Sequence, residues 1–175
     1  MSLKYLLDAN IFIQANNQHY GFDFCPAFWE WLVIQSDSGI VGSLSSIKKE
    51  LLEKDDDVSR WVRNEGRNLF VDVDLATTKK FPIVTEWVDK QKNYSNNAKA
   101  KFLQVDFQLV AYASVHGCTV VTHEVSAKDS KKAVKIPDVC EGFGVACASP
   151  YEMLQNEGAR FVLSEMNKKR KDRLL

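Results

Sequence analysis

Apolar residues along the chain fall into two kinds of pattern. Two continuous runs, "KYLLD" at residues 4–8 and "CTVVTH" at 118–123, lack alternation and read as strands buried on both faces. "IVGS", "LFVDV" and "VACAS" are shorter strand candidates. Between them the apolar spacing is helical. "PAFWEWLVIQSDSG" places Phe28, Trp31, Leu32 and Gln35 at helical intervals, with Pro26 suited to the first turn and Gly39 to the C-terminal cap. A short helix over 11–15 leads into the irregular stretch "NNQHYGFDFC". "SSIKKELLEK" predicts a helix with a serine at its start. Asp55-Asp56-Asp57 marks a turn and a helix start, and that helix runs over 58–66. Residues 76–91 predict a helix interrupted near Pro82, "NYSNN" a loop, and 98–116 one or two helices ended by Gly117. "EVSAKDSKKAVKIPDVCEGFG" reads as a long polar excursion. "SPYEML" starts a helix with Ser149 as cap, Pro150 at the first position and Glu152 completing a capping box. The tail "EMNKKRKDRLL" is expected to fray.

This alternation predicts an α/β domain, a central mostly parallel sheet with helices on both faces. A length of 175 residues suits one domain over 1–175, with a core at about 4–148 and a C-terminal helix and basic tail over 149–175. Lys+Arg and Asp+Glu both number 23, so no global field directs the chain to nucleic acid or membrane; a nucleic-acid partner would need a local basic patch or a metal. Cys25, Cys118, Cys140 and Cys147 form no C-x-x-C pair, which predicts reduced thiols without structural zinc. No apolar stretch approaches the roughly 20 residues of a membrane span. Met1-Ser2-Leu3 carries no targeting signal and reads as a cloning remnant, and the expected location is cytoplasmic. A nucleotide-binding α/β domain ranks last, because the chain has no Gly-rich phosphate loop.

In a parallel sheet the functional crevice lies at the carboxyl ends of the strands. Asp8 ends the first buried run, and Thr122, His123 and Glu124 end the second. Glu50 lies on the polar side of Ile47 and Leu51, and Asp106 beside the apolar stripe Phe107, Val110, Ala111. Each acid also has an ordinary role open to it: Asp8 and Asp106 as helix caps, Glu50 on a solvated helix face. If they converge, their mutual repulsion needs a counter-charge. Oxygen-only ligands favour Mg²⁺ or Mn²⁺.

The ordered segments "LLDANIFI", "SIKKELL", "DFQLVAYA" and "TVVTHE" resemble the four acidic motifs of the PIN domain, over most of residues 4–148. PIN domains are metal-dependent nucleases folded as three-layer sandwiches, many of them toxins of bacterial toxin–antitoxin pairs. The resemblance implies that Asp8, Glu50 and Asp106 bind metal, with Asn10 and Thr122 in support. The fourth acid falls at Glu124, with Asp129 as its rival. The long helix around Trp29 and Trp31 and the excursion over 125–144 exceed a minimal domain and point to a separate PIN-like branch. The implied function is Mg²⁺- or Mn²⁺-dependent cleavage of single-stranded RNA, with an antitoxin protein as partner. The alternative is a catalytically inactive scaffold that binds protein or RNA. One or two metals, and a homodimer, stay open. Lys128, Lys131, Lys132 and Lys135 are candidates for holding RNA phosphates. Trp29, Trp31, Trp61 and Trp87 are expected to be core and rim anchors. His19, His116 and His123 show no metal spacing, and His123 could assist phosphate binding.

Overall fold

Residues 3–162 are described by the structure, a computed structural model; Met1-Ser2 and the basic tail lie outside the described residues. Strands β1 (Tyr5–Leu7), β2 (Val41–Leu44), β3 (Phe70–Val71), β4 (Thr119–Val121) and β5 (Cys147–Ala148) form one sheet in the order β3-β2-β1-β4-β5. Every pairing is parallel, so the sheet is wholly rather than mostly parallel. Tyr5 in the central strand lies opposite Val41 on one side and Thr119 on the other, and Leu7 lies opposite Val121. All of β1 and β2 is buried, which is why their sequences do not alternate. Ser43 within β2 donates its hydroxyl to the Leu7 carbonyl at 2.7 Å, satisfying a buried acceptor where β1 ends.

Helices fill the connections. Helix α1 (Ala9–Gln14) continues into a π-helical turn (Ala15–His19) and is followed by α2 (Pro26–Asp37). Helices α3 (Ser45–Leu51) and α4 (Asp57–Asn64) and a 3₁₀ turn (Gly66–Leu69) join β2 to β3. Helices α5 (Leu75–Lys90), α6 (Asn96–Phe102) and α7 (Asp106–His116) precede β4. Helix α8 (Ile136–Gly142) links β4 to β5, and α9 (Pro150–Asn156) follows. Right-handed crossovers from β1 to β3 put their helices on one face, and those from β3 to β5 put theirs on the other. The principal helix contacts divide the same way: α1 with α3 and α3 with α4, against α5 with α7 and α7 with α8.

Capping residues account for several helix ends. Pro26 opens α2, and Gly39 and Gly117 leave α2 and α7 at φ 70° and 71°, where a side chain would be strained. Asp56 and Ser59 form a capping box on α4, and Ser149 and Glu152 form one on α9. Trp29 and Trp61 are buried and meet edge to face at 4.9 Å, while Trp31 and Trp87 are half-buried, as anchors should be.

Three local expectations are corrected and one open alternative is settled. Helix α5 runs unbroken through Pro82, whose exposed position leaves the lost hydrogen bond on the solvent side while Val84 and Val88 pack inward. The 98–116 segment is two helices, the first capped by Ser95. Leu44, not a serine, holds the N-cap position of α3, with no side-chain cap. The excursion after β4 contains α8, with Ile136, Val139 and Cys140 buried. All four cysteines are free. No helix among the described residues is long and apolar enough to cross a membrane.

The chain leaves β1 towards β2 and β3, then crosses to the opposite side for β4 and β5. That reversal opens a crevice beyond the carboxyl ends of β1 and β4.

Candidate active site

Asp8 follows β1 directly and is tied to β4: its amide donates to the Val121 carbonyl at 3.0 Å. The residue occupies the N-cap position of α1, yet its side chain makes no capping hydrogen bond. Instead Oδ2 accepts from the Thr122 hydroxyl at 2.8 Å and from Asn10 Nδ2 at 3.2 Å. The carboxylate is only 2% exposed and is engaged by these side chains, not by the helix. Burial pushes its pKa up to about 6; Thr122 and Asn10 oppose the rise, and the Glu124 charge adds to it.

Asp106 is the first residue of α7, with Val105 rather than Asp106 at the N-cap. Helix α7 precedes β4 and runs back across the sheet, so its N-terminus overhangs the strands' carboxyl ends. Burial first, and then the charges of Asp8, Glu124 and Glu50, opposed by Lys101, together raise Asp106 to about 7. Glu50, near the end of α3, is also raised, by burial and then by Glu53, with Lys101 and Lys54 opposing.

These acids share one open cleft of about 560 Å³, lined among others by Asp8, Asn10, Glu50, Asp106 and Glu124. All four candidate acids and Asn10 therefore meet on one surface, and Thr122 stands behind Asp8. Glu124 is braced: Oε1 accepts from Lys135 Nζ at 2.9 Å and Oε2 from the Ile136 amide at 2.8 Å. Asp129, its rival, is exposed and does not line the cleft.

The basic candidates are placed differently. Lys128 pairs with Glu141 at the surface, and Lys131 and Lys132 are exposed. Lys135 reaches the site only through Glu124. None of the four lines the cleft, whose lysines are Lys49 and Lys101. Neither stood out in the sequence, because each lies on a helix whose other lysines face elsewhere. Ser46 was also missed; its buried hydroxyl has no hydrogen-bond partner and belongs to the same cleft. Asp138 is a buried acid outside the site that accepts from Ser126 Oγ at 2.5 Å and the Ala127 amide at 3.1 Å, pinning the chain after β4 onto α8. The proline at residue 137 and the spacing of Ile136, Val139 and Cys140 were its readable signal. Among the described residues, no three His, Cys, Asp or Glu side chains stand close enough together to hold one metal ion.

No curated protein matches the chain. Among solved structures, the crystal structure of VapBC2 from Rickettsia felis bound to a DNA fragment from their promoter contains a similar chain, at 14% identity and a TM-score of 0.49 over 83% of this chain and 97% of that one. The model of the family described as a domain of unknown function (DUF4411) matches residues 5–161, which include every acid of the cleft. The chain belongs to the DUF4411 family.

Proposed function

We propose that the protein is a divalent-metal-dependent ribonuclease that cleaves single-stranded RNA. One observation carries this reading: Asp8 and Glu124, which follow β1 and β4, and Glu50 and Asp106, from α3 and α7, line one cleft at the switch point of a parallel sheet. The donors fit Mg²⁺ or Mn²⁺ in kind, being oxygen only, with the unpartnered Ser46 hydroxyl beside them. Asp8, Glu50, Asp106 and Glu124 would hold the ion, with Glu124 tethered by Lys135 and the Ile136 amide. A bound divalent ion supplies positive charge for the attacking and leaving oxygens of a phosphodiester. Thr122 and Asn10 fix the orientation of Asp8. Lys49 and Lys101, which line the cleft, would meet RNA phosphates there in place of Lys128, Lys131, Lys132 and Lys135. The motif resemblance to PIN domains extends the reading to the toxin of a toxin–antitoxin pair, held inactive by an antitoxin protein.

The test is cleavage of single-stranded RNA by the purified full-length protein with Mn²⁺, with EDTA, and after Asp8→Asn. Cleavage should require the metal and fall by at least about a hundredfold in the variant, since even outer-shell changes at metal sites cost 10–100-fold. Cleavage that survives EDTA and Asp8→Asn would sink the reading. A protein that is inert towards RNA and shows no Mn²⁺ response would be a binding scaffold instead.

A further inference from the structure

A cluster of rings stands beside the acidic cleft and takes no part in it. His19 ends the π-helical turn after α1, His123 immediately precedes Glu124, and Tyr151 lies in the first turn of α9. The two imidazoles are stacked, with centroids 5.2 Å apart and planes at 26°. The Tyr151 ring meets His19 edge-on at 5.8 Å and His123 at 5.9 Å. Its hydroxyl is 3.3 Å from His19 Nε2 and 3.4 Å from Nδ1. Beneath them Tyr20 is fixed by stacking on Phe28 at 4.4 Å, so the cluster rests on the core. Rings that only filled the interior would be covered, but Tyr151 is 44% exposed and both imidazoles are partly open to solvent.

Position and charge point the same way. His123 and Tyr151 follow the carboxyl ends of β4 and β5, the edge of the sheet that carries the acids. Consecutive Cα atoms are roughly 3.8 Å apart, so the cluster begins one residue from Glu124. The cleft itself holds five acids and two lysines, a poor surface for gripping a polyanion by charge. Two lysines alone give limited affinity for a nucleic acid, and aromatic stacking adds to it without regard to sequence because every base has a π-face.

We propose that His19, His123 and Tyr151 form a stacking subsite for a base of single-stranded RNA whose adjoining phosphodiester lies in the acidic cleft. This rests on the ribonuclease reading and adds the form in which the substrate is held: unpaired, with one base splayed onto the rings.

The experiment uses the full-length protein in EDTA, so that RNA is bound without cleavage, and a short RNA oligonucleotide carrying 2-aminopurine at successive positions. Binding should quench the fluorophore at the position seated on the rings. His123→Ala and Tyr151→Ala should lose that quench and weaken binding about tenfold. His123→Phe and Tyr151→Phe, which keep a ring, should preserve both. Melting curves check each fold, and Tyr151→Leu, with bulk but no ring, replaces any alanine variant that does not fold and should behave like it. Alanine variants that quench and bind like wild type, while the wild type still cleaves RNA with Mn²⁺, would overturn the subsite alone. Phenylalanine variants as weak as the alanine ones would mean that imidazole or hydroxyl contacts a phosphate or an ion, which also overturns stacking. A wild type that neither binds nor cleaves RNA would remove this proposal together with the ribonuclease reading.

Discussion

Asp8 and Asp106 decide how the metal-free protein responds to pH. Their folded values, about 6 and about 7, both lie above the ordinary 3.8. Between those limits the folded state binds protons that the unfolded chain has released, so these groups make stability fall as pH rises from about 4 to about 7. Below that window their penalty is absent, and above it the penalty is fully present. Asp8→Asn or Asp106→Asn should therefore melt higher than wild type at neutral pH in EDTA, by on the order of 1 kcal/mol or more. A helix-capping role predicts little change, because Asn caps about as well as Asp. Mn²⁺ should raise the wild-type melting temperature, as any ligand selective for the folded state does, and both variants should lose most of that response. Thermal melts at pH 4 and pH 7, with EDTA and then with Mn²⁺, measure all of this. Variants that melt at or below wild type in EDTA and keep its full Mn²⁺ response would make both acids structural.

Elements carry their own tests. Pro82 sits well inside α5, where proline removes an amide donor and crowds the preceding turn at a cost of up to about 3 kcal/mol. Its side chain is exposed, so Pro82→Ala has no packing to lose and should stabilise the protein by about 1 kcal/mol or more in denaturant titration. A loss of stability would mean that a bend imposed by the proline matters to the packing of α5 on α7. The chain between β4 and α8 depends on Asp138. Hydrogen bonds to a charged group contribute about 1.5–3 kcal/mol, so Asp138→Ala should destabilise by about that amount. Hydrogen exchange should quicken around Ser126 and Ala127 first. Uniformly unchanged exchange there would show that Glu124, through Lys135 and the Ile136 amide, holds this segment by itself.

The whole molecule carries no net charge, with 23 basic and 23 acidic residues apart from histidine. Its association with RNA should therefore depend weakly on salt. If Lys49 and Lys101 are the two phosphate contacts, the slope of log K against log salt for single strands should be about −1.4. Oligonucleotide binding between about 50 and 200 mM salt measures it. A slope twice as steep would bring the lysines at 128–135 back as an RNA surface, with Lys128 released from Glu141.

Local rules were enough to determine the elements whose causes are local. The buried runs at β1 and β4, the Ser149–Glu152 capping box and the left-handed glycines depend on near neighbours in the chain, so each was legible there. Asp8 was legible too, because a carboxylate closing an apolar strand needs either an open sheet edge or a partner, and it has both. Alternation of strand and helix likewise determined the α/β class, since parallel strands require crossovers. What the sequence could not determine was which distant side chains share a surface. The strand order β3-β2-β1-β4-β5 brings Thr122 against Asp8, 114 positions away, and gathers Glu50, Lys49 and Lys101 at the same cleft. It also separates neighbours: Thr122 turns to Asp8 while His123 stacks on His19. Both residues lie just past the end of β4, so the partners each one meets are set by which strands and helices the topology brings to that edge of the sheet. Helix α5 shows the same limit in energetic form, because packing on α7 outweighs the local preference of Pro82, and only the tertiary structure holds that packing.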